Sequence, residues 1–172
     1  FAGWVVREGG EYDLGFSIAV KAISSFESIF DNLNTKYGHY FENVYVSIAT
    51  KIYMLRNKFI FDANRKHKDY MLMGNLKHPE EISEEDRKLL RLLSIKGKAS
   101  LKDISAEIER SPETIRYRIR VLEKKRIILG YRANIDTCLL GYQYFKVFLL
   151  VSEFNEKRVN EFISYCNDQP NI

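Results

Sequence analysis

The apolar positions of the chain change period several times, and each change marks an element. In YDLGFSIAVKA (12–22) Leu14, Phe16, Ile18 and Val20 alternate with Gly15, Ser17, Ala19 and Lys21, the period of two that gives a strand one apolar face. AGWVV (2–6) precedes it across REGGE (7–11), so the pair reads as a β-hairpin in which Gly9 and Gly10 supply the positive-φ positions of a tight connection. In SSFESIFDNLNTKYG (24–38) Phe26, Ile29, Phe30, Leu33 and Tyr37 recur at helical intervals, with Ser24 or Ser25 as N-cap and Gly38 as the stop. FENVYVSIATKIYML (41–55) returns to alternation and predicts a long strand. Residues 1–61 therefore read as ββαβ.

Periodicity fades over 62–80, which reads as a linker with a basic knot at Arg65, Lys66 and Lys68. His67 and His78 lie there at no spacing that a metal site would use. Residues 81–136 then hold three successive helix signatures. Ser83 caps the first, acids at 84–86 favour its N-terminus, and Lys96-Gly97-Lys98 ends it. Ser100 caps the second, with Asp103 at the capping-box position and Leu101, Ile104 and Ile108 as its buried stripe. Ser111 caps the third, and Pro112 occupies a first-turn position where its missing N–H is harmless. LGYRANID (129–136) follows as a short strand pair. In 137–172, YFKVFLLV (144–151) reads as a strand and EKRVNEFISYCND (156–168) as a helix, ended before Pro170.

The third helix carries the candidate chemistry. At about 100° per residue, Ile115, Ile119 and Leu122 fall on one side, while Arg116, Tyr117, Arg120 and Lys124 fall on the other. Arg118 and Lys125 lie on a flank. A solvated helix intersperses charges to form i,i+4 pairs. Here the outward surface between Glu113 and Glu123 is only basic or aromatic. A helix-turn-helix requires such a division, with one stripe buried and the other offered to base edges and phosphates. Arg116, Tyr117 and Arg120 are the candidate base contacts, with Thr114 near the helix start. Lys96, Lys98, Arg118, Lys125 and Arg132 are the candidate phosphate contacts, Arg132 on the wing that 129–136 would form. Ser111 and Lys124 complete the DNA-binding set.

Charge placement strengthens this reading. Residues 81–136 hold 14 Lys and Arg against 10 Asp and Glu, so the whole net charge of +4 sits in that third of the chain. Composition, at 45% hydrophobic and 13% aromatic, supports packed cores rather than disorder. Cys138 and Cys166 are too few and too isolated for a disulfide framework or a zinc site and are expected to be buried thiols. No apolar run approaches the ~18 residues that span a bilayer. The GxSxG, GxxxxGK[ST] and HExxH motifs are all missing, which argues against an enzyme. No cofactor or metal is expected, and the expected location is cytoplasmic.

Residues 86–141 resemble the winged helix of the leucine-responsive/AsnC (feast/famine) regulators. Asp86, Leu89, Leu90, Leu93, Gly97, Ser100, Ser111, Thr114, Arg118, Leu122, Glu123, Ile128, Gly130, Tyr131, Asp136 and Gly141 fall in register with that family's pattern. Two departures stand out. Glu109-Arg110 replaces the usual Gly-Leu of the turn, which leaves the angle between the two helices open, and Arg126 stands where the family tends to have Gly.

The resemblance implies an α+β chain: a winged helix-turn-helix at 81–136 plus a ferredoxin-like βαββαβ effector domain. The strand and helix of 137–172 would form the first part of that domain and the ββαβ of 1–61 the rest. That order is permuted, as either tandem copies or a permuted gene would give, with QPNI at one end of the chain running into FAGWVV. Residues 144–168 are then expected to pair with 1–55, within the chain or across a dimer. The resemblance further implies double-stranded DNA as partner, a homodimer or higher homo-oligomer, and an amino-acid effector near GEYDL (10–14), with Gly10, Tyr12 and Asp13 as the candidate ligands. The alternative is a small-molecule-sensing or oligomerisation module whose winged helix does not bind DNA.

Overall fold

The protein is described here by a computed structural model covering residues 2–55, 70–74, 79–97, 99–152 and 155–169. The chain divides into two compact units, Phe1–Ile48 and Ala49–Ile172. The basic knot at 65–68, His78 and Lys98 lie outside the described residues.

In the first unit, β1 (Ala2–Arg7) and β2 (Leu14–Ile18) form the expected antiparallel hairpin, with Val5 opposite Phe16 and Arg7 opposite Leu14. The register slips between Ala2 and Trp4, and a Cβ on Gly3 would come within 2.8 Å of Ser17 Oγ. The connection is not the expected tight turn. It runs from Glu8 to Asp13, closed by the Glu8 N–H donating to the Asp13 carbonyl at 2.8 Å. Neither Gly9 nor Gly10 has positive φ, because a loop of this length reverses the chain without left-handed residues.

Helix α1 (Ile23–Tyr37) starts ahead of the serines expected to cap it, with Ala22 at the N-cap and no side-chain cap bond. Ser28 Oγ instead donates to the Ser24 carbonyl at 3.1 Å. The α-helix ends at Gly38 as expected, although this residue is right-handed at φ −56 and opens a 3-10 turn, Gly38–Tyr40. No described side chain of this unit is fully buried, and the apolar face of β2 stays open, with Leu14 68% and Phe16 45% exposed.

In the second unit, β3 (Ile52–Met54) pairs antiparallel with β4 (Met71–Met73). Among the described residues only three of the strand expected over 41–55 are therefore paired, and their partner comes from the stretch expected to be linker. Gly74, at φ 91, follows β4 where a Cβ would sit 2.4 Å from the Thr50 carbonyl oxygen, so only glycine lets the chain leave the pair there.

Helices α2 (Glu84–Ile95), α3 (Leu101–Ile108) and α4 (Pro112–Lys124) form as the sequence predicts, capped by Ser83, Ser100 and Ser111. Ser100 and Asp103 complete the reciprocal capping box. These helices enclose the one core of buried apolar side chains among the described residues: Leu89, Ile104, Ile108, Ile115 and Leu122, with Leu93, Leu101, Ile119, Ile127 and others packed around it. Complete burial of each such side chain is worth about 1.5–3 kcal/mol. Helix α5 (Glu156–Asp168) begins at the Asn155 cap, whose side chain accepts from the Arg158 N–H at 2.9 Å. Cys138, expected buried, is exposed on a 3-10 turn, Cys138–Leu140.

The strand pair expected at 129–136 and the strand expected at 144–151 do not form. Nor does a single ferredoxin-like sheet: the described strands lie in two separate two-stranded sheets, and the expected pairing of 144–168 with 1–55 is not among them. A strand satisfies its N–H and C=O groups against a neighbouring strand, and neither stretch belongs to a sheet among the described residues. Tyr144, Phe145, Val147, Phe148 and Leu150 are left exposed.

Helices α3 and α4 end alike, each through a residue in the left-handed region: Glu109 at φ 60 and Arg126 at φ 58. The second residue of each end reaches back five positions, Arg110 N–H to the Ser105 carbonyl at 3.1 Å and Ile127 N–H to the Leu122 carbonyl at 2.9 Å. A side chain in this region costs roughly 1–2 kcal/mol, partly offset because glycine loses about 0.5–1 kcal/mol more backbone entropy on folding. Glu109→Gly and Arg126→Gly are each expected to stabilise the three-helix unit by about 0.5–1 kcal/mol, a rise of about 2–4 °C in Tm on thermal unfolding followed by circular dichroism. A fall at both positions would refute this account of the helix ends.

Candidate nucleic-acid interface

Helix α4 is held from one side. Ile115 and Leu122 are fully buried, with Ile119 half-buried between them. At its start Ser111 Oγ accepts from the Thr114 N–H at 3.2 Å and lies 3.0 Å from Thr114 Oγ1. Both hydroxyls are thus used in shaping the helix N-terminus. Arg116, Tyr117, Arg120 and Lys124 are exposed on the face away from the core, Tyr117 at 68%. None of the three cations among them makes an ion pair with any described residue. The division of the helix into a packed stripe and a cationic-aromatic stripe is as the wheel predicts.

The remaining sequence-picked cations are placed differently. Arg118, expected on phosphate, is directed into the domain: Nη1 donates to Asp86 Oδ1 at 2.9 Å and Nη2 pairs with Glu85 Oε2. Lys125, on the same flank of α4, pairs with Glu80 at 3.0 Å. Lys96 pairs with Glu107. Arg132 is exposed beyond the helix, on an irregular segment rather than on a wing hairpin. The candidate effector residues Gly10, Tyr12 and Asp13 share the loop of the first unit, where Tyr12 faces Tyr45 with ring centroids 6.4 Å apart and the Asp13 carbonyl closes the loop.

Sequence reasoning missed Glu85, Asp86 and Arg110 as parts of this arrangement. Glu85 is 22% and Asp86 19% exposed in their side chains, on the first turn of α2. Arg110 Nε lies 2.8 Å from Glu85 Oε1 at an angle that does not make a hydrogen bond, so that buried oxygen is held by Coulomb attraction alone. Glu85 thus ties the α3–α4 turn and the middle of α4 to one point on α2. On sequence the acids of 84–86 favour the helix N-terminus, which does not reveal a partner for them. Asp86 and Arg118, opposite charges that both fit the family pattern, were the available signal that the two meet.

Burial works against the Asp86 charge, but hydrogen bonds from Ser83 and Arg118 outweigh it and hold its pKa below the usual carboxylate value. Asp103 is also held low, chiefly by its hydrogen bond from Ser100.

Residues 82–123 match the model of the AsnC-type helix-turn-helix domain. The chain therefore carries an AsnC-type helix-turn-helix. The AsnC-type domain is also where the similarity to named proteins lies. An uncharacterized HTH-type transcriptional regulator of Pyrococcus furiosus is 42% identical over 60 residues, which cover 35% of this chain and 39% of the relative. An HTH-type transcriptional regulator of Methanocaldococcus jannaschii is 36% identical over 58 residues, 34% of this chain and 39% of the relative. A third, from Pyrococcus horikoshii, is 37% identical over 70 residues, 41% of this chain and 46% of the relative. The chain thus spans less than half the length of the curated relatives it matches. These relatives are named as transcription regulators, not enzymes. No solved structure matches the chain significantly. Among the described residues no helix is long and apolar enough to cross a membrane, and no group of three or more His, Cys, Asp or Glu is placed to hold a metal ion.

The lowered carboxylate pKa values of the AsnC-type domain set a pH dependence. A carboxylate held low when folded contributes stability that is present above its unfolded value, about 3.9 for Asp, and is lost as pH falls through the folded value. The Tm of the chain is therefore expected to drop on acidification below about pH 4, and to drop less steeply for Asp86→Asn, which keeps an acceptor for Ser83 but does not titrate. Tm measured from about pH 3 to pH 6 checks this; equal slopes in parent and variant would exclude Asp86 as a contributor.

Proposed function

We propose that the chain is a sequence-specific, DNA-binding transcription regulator in which α4 enters the major groove of double-stranded DNA. The observation that carries this reading is the sorting of cations on α4. Those on its flank are neutralised by acids of the domain, while Arg116, Arg120 and Lys124, beside Tyr117, are exposed without such partners. Arginine reads guanine O6 and N7 bidentately, and an exposed lysine beside it neutralises phosphate, so this face matches what a groove offers. In this reading Arg116, Tyr117 and Arg120 contact bases. Thr114 and Ser111 sit at the helix start, and Lys124 and Arg132 are the phosphate contacts, with Lys98 a further candidate that lies outside the described residues; Lys96 and Lys125 are engaged by Glu107 and Glu80. The AsnC-type domain and its named relatives support the same assignment.

The exposed apolar stretch at 144–151 and the open apolar face of the hairpin support assembly as a homodimer or higher homo-oligomer, in which a second copy completes the ferredoxin-like sheet. A dimer would present two copies of α4 to half-sites about 34–36 Å apart. A cytoplasmic location fits this role.

A duplex selected from a random library by the full chain is expected to bind specifically in gel shifts at fixed salt. Arg116→Ala combined with Arg120→Ala should weaken that binding at least about 30-fold, since each bidentate base contact is worth about 1–3 kcal/mol. Unchanged affinity would reject this face and favour a sensing or assembly module. An amino-acid effector held by Gly10, Tyr12 and Asp13 is supported by the resemblance of GEYDL to the family's turn. Calorimetry of the chain against the twenty amino acids is expected to give saturable heat with one of them, lost in Asp13→Asn. No saturable heat with any would leave the loop a connector.

A further inference from the structure

We infer that Arg118 is a positioning residue, not a phosphate contact: through Glu85 and Asp86 it sets the roll of α4 about its own axis, and so decides which side chains face the groove. The inference rests on the DNA-binding reading above and assigns a role within it. Ile115 and Leu122 press α4 onto the core along one stripe, and apolar packing of that kind resists separation far more than rotation. Arg118 projects about 60° to one side of that stripe, counted at about 100° per residue. There its guanidinium meets two carboxylates of α2, on Nη1 at 2.9 Å and on Nη2. A planar fork held at both prongs fixes direction as well as distance.

The lever arm makes the roll matter. Side chains reach a radius of about 5–6 Å from a helix axis, so a roll of about 20° moves their tips by about 2 Å, more than a hydrogen bond of 2.7–3.2 Å tolerates. Arg116 and Arg120 lie on the flank opposite Arg118, so a roll that released Arg118 would carry both out of register together. Arg110, in the turn before α4, reaches the same Glu85 at 2.8 Å. The altered turn is thereby anchored to the same point as the helix it introduces. Lys125 adds a second tether on the Arg118 flank through Glu80 at 3.0 Å.

Two consequences separate this role from a phosphate contact. Removing a phosphate contact lowers the slope of log K against log salt by about 0.9, whereas removing a positioning residue leaves the slope unchanged and weakens only specific binding. Removing Glu85 and Asp86 takes away two negative charges, which by electrostatics alone tightens binding to a polyanion. If they hold Arg118, their removal loosens specific binding instead.

The test uses the full chain, the selected duplex and a random duplex, with Kd measured across about 50–300 mM salt. Far-UV circular dichroism verifies that each variant is folded at the assay temperature. Arg118→Gln is expected to lose at least tenfold in specific affinity, with the salt slope and random-duplex affinity of the parent. Glu85→Gln combined with Asp86→Asn is expected to weaken specific binding as well. Arg118→Lys, which keeps the charge and one pairing, should recover part of the loss and serves where Arg118→Gln fails to fold. A slope lowered by about one in either Arg118 variant, or tighter specific binding in the double acid variant, overturns the inference. If the unaltered chain shows no specific, salt-dependent binding, the DNA-binding reading itself fails and this inference falls with it.

Discussion

Everything that the AsnC-type domain presents outward depends on the contact between α4 and the two helices beneath it. Leu89 of α2 and Ile115 and Leu122 of α4 are its fully buried large side chains, and Ile104 and Ile108 of α3 close the same cluster. Burial of this kind is strong but non-directional. It keeps α4 on the domain and gives it one inward stripe, and nothing more. Orientation comes from polar groups at the margins of the core. The Ser111 cap starts the helix, the left-handed Arg126 ends it, and Glu85 and Asp86 hold its flank. The energy of the domain and the aim of its helix therefore rest on different residues.

The local parts of this arrangement were readable in the sequence because their causes are local. A capping box needs residues three apart, a buried stripe needs a period of 3.6, and Ser100 with Asp103 or Ile115 with Leu122 declare both within a few residues. The partner of Arg118 was not readable in this way. It lies 32 and 33 positions upstream, and only the packed helices bring it within hydrogen-bonding distance. A cation on a helix wheel has the same appearance whether an acid waits beside it or solvent does. On sequence Arg118, Lys125 and Lys96 therefore join Arg116 and Arg120 as candidate DNA contacts, and the fold separates them.

The strands show the converse. Alternation at 41–55 and 144–151 describes side chains able to lie on a sheet, but a strand exists only when a neighbour takes up its backbone groups. The β1–β2 hairpin supplies its own neighbour through a short loop and forms. Ile52–Met54 finds one in Met71–Met73, and the three methionine and leucine residues of that partner carried too little alternation to stand out from a linker. Residues 144–151 have the stronger pattern yet join no sheet among the described residues. Sequence strength and strand formation part company where the missing ingredient is a second edge, which no pattern within a single segment encodes. An apolar segment left open in this way is a liability for a lone chain, and the physical pressure on it is toward association.

The two departures from the family's pattern coincide with the two described non-glycine residues at positive φ, Glu109 and Arg126. Where the family tends to have glycine, this chain has left-handed helix ends that carry a side chain. Both backbones still make the reach-back bonds that such ends require. The substitution at the turn is not isolated, because the residue after Glu109 is also changed. Where the family tends to have leucine, Arg110 is half-exposed with its Nε 2.8 Å from Glu85 Oε1. The turn is thus tied by an ionic contact that converges on the same carboxylate as Arg118. The start of α4 and its middle are therefore held from α2 through one shared carboxylate, so the turn and the flank of the helix have a single anchor.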